Sequence, residues 1–180
     1  MKPAYRRVLL LLATCLPLVA QAPVPTEYQV KAAYLSNFGR FVEWPARTPL
    51  ADGQPFHICV LGDDPFGSIL DSALSGELIK HSPLVPKRIT RVQDAAGCRI
   101  VFVSASEASR LKTIVAELER GNALTVSDIP QFAAQGGAIE LVLVGKTVRF
   151  QINLAGSDRA GLSLSSELLK LALSVRKGAR

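Results

Sequence analysis

The sequence predicts an α/β fold, a single-domain sandwich of a mixed β-sheet flanked by helices, closed by a C-terminal β-hairpin and amphipathic helix. Three observations carry it. Residues 55–62 (PFHICVLG) and 98–104 (CRIVFVS) are short apolar runs bounded by turn residues, the mark of strands buried on both faces. Stretches with helical spacing alternate with them. Residues 136–175 then read as hairpin, open loop and helix.

Residues 1–22 carry Lys2, Arg6 and Arg7, then an apolar run and small residues. That is a secretory signal pattern, too short for an ordinary transmembrane helix, with a cut after Ala20 or Ala22. The folded domain then occupies residues 23–180. Its first helix starts at Thr26, which forms a capping box with Gln29. It places Val30, Tyr34, Phe38 and Phe41 on one side, an aromatic cluster that reads as core, flanked by Ala33, Leu35 and Val42. Pro45 ends it and keeps Trp44 extended. A polar linker, 47–54, leads to the strand at 55–62, a turn at 63–65 and a helix at 66–74. Pro83 and Pro86 break the next segment. Residues 87–92 alternate basic with apolar, as an edge strand does. The strand at 98–104 is followed by a helix over 107–120 with Leu111, Val115 and Leu118 inward, ended by Gly121 as a left-handed cap. Residues 122–126 form another strand and 129–132 a short turn or helix.

In the hairpin, Gly145-Lys146 supplies a type II′ turn and sets the register. Val144 faces Thr147, and the pairs Leu143–Val148, Leu141–Phe150 and Ile139–Ile152 share one side. Glu140, Val142, Arg149, Gln151 and Asn153 take the other. A one-residue slip would turn the apolar row into solvent, so the register is well specified. After a loop over 153–161, Ser165 caps a helix with Leu164, Leu168, Leu171 and Val175 on one stripe and Leu169 and Ala172 beside it. Glu167 in its first turn and Arg176-Lys177 at its end suit the helix dipole. This helix is expected to lie on the hairpin's apolar row.

The sequence pI near 9.5 overstates the basic character of the folded part. Without Lys2, Arg6 and Arg7 the net charge falls from +6 to +3. No Lys/Arg cluster interleaves with aromatics, which argues against a nucleic-acid binder. Cys15 leaves with the signal, and Cys59 and Cys98 remain. In an exported chain two cysteines suggest one disulfide, with two buried free thiols as the alternative. His57 and His81 offer no spacing that would hold a metal with them.

Catalytic chemistry is thin. No G-x-S-x-G elbow, P-loop or G-x-G-x-x-G follows a strand. Ser163, Ser165 and Ser166 read as capping residues. Gly62-Asp63-Asp64-Pro65 stands where open α/β sheets bind ligands, and equally reads as a turn into a helix N-terminus. No catalytic residue, metal ligand or cofactor is assigned. The loop at 153–161 (NLAGSDRAG) reads equally as a recognition loop, since loops on a rigid scaffold often carry recognition, and as a plain connection.

Five blocks bear a family pattern: EYQVKAAYLSNFGRFVEWP at 27–45, HICVLGDDPFG at 57–67, CRIVFVS at 98–104, GGAIELVL at 136–143 and VRFQINLAGSDRAGLSLSSELLKLA at 148–172. With these, the chain resembles the YfiR family of small periplasmic proteins across essentially the whole mature chain. The resemblance implies a non-enzymatic regulator that binds the periplasmic sensor portion of an inner-membrane diguanylate cyclase and represses it. An outer-membrane lipoprotein partner would release that hold, raising cyclic-di-GMP and favouring biofilm. It also implies that Cys59 and Cys98 pair, since they fall where the family has a disulfide. Some members carry a second cysteine pair near the Gly-Gly segment; residues 133–140 here have none. The expected docking residues are Ile152, Leu154 and Leu164, as an exposed apolar edge, with Asp158 and Arg159. An acidic side chain at Leu154 is expected to free the cyclase without unfolding the protein. A periplasmic small-ligand carrier using the Gly62–Pro65 end is the competing reading, and a homodimer is left open.

Overall fold

The computed structural model describes residues 24–46 and 48–177. The signal-peptide reading of residues 1–22 lies outside them. In chain order the elements are α1 (Glu27–Phe38), β1 (Val42–Glu43), β2 (Phe56–Leu61), α2 (Ser68–Leu74), β3 (Leu78–Ile79), β4 (Ser82–Ile89), β5 (Cys98–Val103), α3 (Leu111–Arg120), β6 (Leu124–Ser127), β7 (Ile139–Val144), β8 (Thr147–Asn153), α4 (Leu154–Arg159), β9 (Ser163–Leu164), α5 (Ser166–Leu171) and β10 (Ser174–Arg176).

Eight strands make one mixed sheet in the order β10-β8-β7-β6-β5-β2-β4-β3. From β4 to β7 neighbouring strands run parallel; β8 is antiparallel to β7, and β10 runs parallel to β8. β1 and β9 form a separate two-stranded ribbon, Val42 opposite Leu164. The central strands are apolar on both sides because both faces are covered. One face packs Ile58, Val60, Ile100, Phe102, Leu124 and Val126 against α1 and α2. The other packs Cys59, Leu61, Val101 and Val103 against Leu111, Ile114, Val115 and Leu118 of α3. Cys59 and Cys98 on adjacent strands are disulfide-bonded, with Cα atoms 5.9 Å apart.

The hairpin has the expected register at every pair, from Val144 opposite Thr147 to Ile139 opposite Ile152. Gly145 has φ +62, as a primed turn requires. The capping box at Thr26 and Gln29 and the Ser165 cap are both present.

Several elements depart from expectation. The last helix is one and a half turns, not three. Ala172 turns extended, the Leu173 N–H donates to the Phe150 carbonyl at 2.7 Å, and Val175 pairs beside Ile152. The open edge of β8 offered unpaired backbone groups, and satisfying them outweighed continuing a short helix. The apolar row of the hairpin is consequently covered mainly by α1, with Tyr34 and Phe38 on Phe150, and α5 adds Leu168. The first helix ends at Phe38 rather than Trp44, since residues 42–43 pair with β9.

Residues 154–159, read as open loop, form α4. Gly156 permits it: a Cβ there would meet the Gly136 carbonyl at 2.5 Å. Pro83 and Pro86 do not break a segment but lie within β4. Beyond Pro83 the outer side of β4 has no partner strand among the described residues, and a sheet edge tolerates proline. Gly121 has φ −84; the left-handed residue is Asn122, φ +56, whose side chain donates to the Ala160 carbonyl.

Candidate partner-binding surface

α1 packs on two neighbours at once, α2 and the hairpin, so its buried line runs through Lys31, Ala32, Leu35 and Phe38. The stripe assigned to the core from sequence is thereby turned partly outward. Ala33 is exposed, and Val30, Tyr34 and Phe41 are half-buried. Between this flank and α5 runs an apolar groove of about 360 Å³, lined by Val30, Ala33, Tyr34, Asn37, Phe38, Phe41, Phe150, Leu168 and Leu171. Its floor is rigid. Tyr34 stacks on Phe38 with ring centroids 5.6 Å apart, and both meet Phe150 edge-on at 5.3 Å. The Tyr34 hydroxyl donates to the Val148 carbonyl at 3.3 Å. Leu171 on the rim is 59% exposed, and Leu173 and Leu143 are 46% and 54% exposed. Lys146, Arg149, Lys170 and Arg176 on the hairpin, α5 and β10 are exposed too. An isolated exposed leucine is unremarkable, but several beside an apolar groove mark a contact surface.

The residues expected from sequence lie elsewhere or are otherwise engaged. Ile152 is fully buried, because it faces inward opposite Ile139, and so forms no part of an exposed edge. Leu154 opens α4 half-buried against the core. Arg159 is committed to structure: Nε donates to Glu119 Oε1 at 2.8 Å and its guanidinium to the Gly136 carbonyl at 3.1 Å. Asp158 is exposed. Leu164 is half-buried in β9, opposite Val42 and one residue before Ser165, whose N–H bonds the Phe41 carbonyl. Of the five, Leu164 alone is tied by the backbone to a groove residue. The groove's own residues were missed because an aromatic stripe at helical spacing is ordinarily core. Its excessive width was the available signal: Val30, Ala33, Tyr34, Phe38 and Phe41 exceed what one sheet face covers.

The carboxyl end of β2 is closed by its own side chains. Arg88 donates to Asp64 Oδ2 at 2.9 Å, to the Asp71 oxygens at 2.8 and 2.6 Å and to the Gly67 carbonyl at 2.8 Å. Ser106 Oγ accepts from the Asp63 N–H at 3.0 Å. Hydrogen bonding from Arg88 holds the Asp71 carboxyl below its ordinary 3.8, more than offsetting the opposing effect of burial. A carboxyl depressed in the folded state adds stability that is present above its unfolded value and lost as pH falls through the folded one. The stability difference between wild type and Asp71→Asn should therefore shrink as urea titrations move from pH 7 to pH 3. Asp71 is half exposed, so the difference at pH 7 is expected within about 1 kcal/mol.

Fold and surface together define a single-domain α/β protein, stapled by one disulfide, with an apolar groove between α1 and α5. Among the described residues no helix is long and apolar enough to cross a membrane. The chain belongs to the YfiR/HmsC-like family, whose model matches residues 28–173. The disulfide fits an oxidising compartment. Among solved structures, a conserved domain protein from Vibrio cholerae O1 biovar El Tor superimposes with a TM-score of 0.58 at 10% identity, covering 84% of this chain and 60% of that one. The ABC domain in complex with L-Trp from Streptococcus pneumonia aligns with a TM-score of 0.48 at 13% identity, covering 67% and 55%. This chain thus spans between half and two thirds of those proteins' lengths. At such identity the Vibrio likeness speaks to fold alone.

Proposed function

We propose that this chain is a periplasmic repressor that docks the α1–α5 groove onto the periplasmic sensor portion of an inner-membrane diguanylate cyclase. Bound there, it holds the cyclase inactive and lowers cyclic-di-GMP and biofilm formation. The observation that carries the choice of surface is the aromatic-floored groove rimmed by Leu171, with Leu173 and Leu143 also exposed. An apolar anchor on the partner entering such a groove is where binding energy concentrates. The exposed Lys170, next to Leu171 on α5, suits a partner face with an acidic group beside its apolar anchor. Repression then follows from differential affinity, the groove fitting the inactive conformation better than the active one. Release by an outer-membrane lipoprotein is competition for the same chain.

Leu171→Glu tests this. Leu171 is largely solvent-exposed, so the variant should unfold at the wild-type urea midpoint, within about 0.5 kcal/mol. Co-expressed with the cyclase encoded nearest its gene, it should fail to lower cyclic-di-GMP and should lose the cyclase in pull-downs from solubilised membranes. Full repression by a folded Leu171→Glu protein would rule out the groove. Leu154→Glu provides the contrast: it should lose stability first, because Leu154 packs on the core.

A further inference from the structure

At the amino ends of β2 and β5, opposite the Asp63–Asp64 turn, lies a cleft of about 470 Å³ whose lining includes Thr48, Gln54, His57, Cys98, Arg99 and Asn122. Among the described residues no carboxylate lines it. Three features converge there. The ladder between β2 and β5 carries an irregularity: His57 pairs with Cys98, but Ile58 pairs with Ile100. Arg99 is therefore the extra residue, and such bulges re-aim a side chain. Its guanidinium lies over the Trp44 ring, 5.7 Å from the centroid, and donates to the Thr48 carbonyl at 2.8 Å. No carboxylate pairs with it among the described residues, whereas Lys31, the other Lys or Arg among them that is not exposed, pairs with both Glu27 and Asp128. Lastly, His57 Nδ1 is the one buried side-chain polar atom among the described residues without a hydrogen-bond partner.

We propose that this cleft binds a small oxyanion, a carboxylate or phosphate group, between the Arg99 guanidinium and the His57 imidazole. A planar guanidinium with donors to spare meets two anionic oxygens in parallel, and charge-assisted hydrogen bonds of this kind are the strong ones. His57 is partly exposed, and its ring turns about a soft torsion, so its orphan nitrogen reaches the ligand as an N–H donor. Thr48, Gln54 and Asn122 supply further polar groups around the bound group. The carboxyl end of α3 opposes the anion through its carbonyls. That opposition is blunted: the Leu118 carbonyl accepts from the Gly121 N–H, the Glu119 carbonyl from the Asn122 N–H, and the Asn122 carbonyl from the Trp44 indole. The site is distinct from the groove, about which it assumes nothing, and it lies at the other end of the strands from the Gly62–Pro65 turn.

The test is a titration of the exported chain with sodium phosphate and, separately, sodium acetate. Sodium chloride at matched ionic strength is the reference, and the imidazole NMR signals of His57 are followed. His81, exposed beside Asp52, is the internal control. The expected result is a saturable shift of the His57 signals with at least one oxyanion, with a dissociation constant of about 1 mM or tighter. His81 should move only as it does in chloride. Saturation by phosphate alone identifies a phosphate site, by acetate alone a carboxylate site, and by both a site for either. Arg99→Gln, followed through His57, and His57→Gln, followed by isothermal titration calorimetry because it lacks the reporter imidazole, should each weaken binding about tenfold or more, and Arg99→Lys should retain part of it. If Arg99→Gln loses its circular dichroism, Arg99→Lys and His57→Gln carry the comparison. A His57 response indistinguishable from chloride, or saturation unchanged in the folded variants, overturns the proposal.

Discussion

Removing the Cys59–Cys98 bridge should lower the unfolding free energy by about 4 kcal/mol, as expected for a closed loop of some forty residues in the chain-entropy model. The double variant Cys59→Ala, Cys98→Ala is the suitable form. Both positions are buried, so serine would add hydroxyls without partners, while alanine removes little beyond the bond itself. The loss should act mainly through the unfolded chain, which regains freedom when the link is gone. Two readouts separate this from a simple packing defect. The urea m-value should rise, because an unlinked chain exposes more surface on unfolding. The melting temperature should drop by roughly 10 °C, at the few degrees per kcal/mol expected for a domain of this size. A loss under about 1 kcal/mol with an unchanged m-value would mean that the bridge is incidental to stability.

The second large effect is expected from Asp128→Ala, at about 3 kcal/mol. Asp128 follows β6 and holds the start of α1: its Oδ2 accepts from Lys31 Nζ at 2.5 Å and from the Tyr28 hydroxyl at 3.2 Å. Lys31 is only 4% exposed. Burial alone pulls the Lys31 ammonium down, but hydrogen bonds to Asp128 and Glu27 outweigh it and leave the group raised above its ordinary 10.5. A lysine raised in the folded state contributes stability that is fully present below its unfolded value and lost as pH rises through the folded one. The Asp128→Ala deficit should thus be constant from pH 6 to 9. The size follows from leaving a buried ammonium with Glu27 alone, a residue whose side chain is 42% exposed. Asp128→Asn should cost less, since an acceptor remains. The double variant Lys31→Met, Asp128→Ala should recover much of the loss, because an apolar replacement for a buried pair is often neutral. If the double variant is as unstable as the single one, the ion pair is not the cause.

The parts of the fold legible in sequence were those set by local chemistry. The Gly145-Lys146 turn and the two-residue alternation behind it determined every pair from Val144–Thr147 to Ile139–Ile152. Thr26 with Gln29, and Ser165 with the Leu168 N–H, are caps whose partners lie within three residues. The elements misread were those whose state is decided by a distant neighbour. Residues 172–176 have a fair helical pattern, yet the free edge of β8 captured them. Residues 154–159 look like a loop, yet Gly156 allows them to coil against the Gly136 carbonyl, where a side chain could not go.

The candidate surfaces divide in the same way. The apolar and aromatic content of α1 was visible, but not which of its flanks would stay uncovered, because that depends on α2 and the hairpin claiming adjacent faces of one helix. Ile152, expected at an exposed edge, lies opposite Ile139 under the core. His57 and Arg99, forty-two positions apart, meet through a bulge that no spacing rule reports.

By itself, then, the sequence determined the α/β class, the strand and helix inventory of the central region, the hairpin register and the resemblance to its family. These rest on periodicity and on contacts a few residues apart. Tertiary structure alone decided which apolar surface stays open, where the chain's end joins the sheet and which polar groups meet at the amino ends of the strands. Each of these depends on how much of a shared face a distant element covers, and a one-dimensional pattern carries no measure of that.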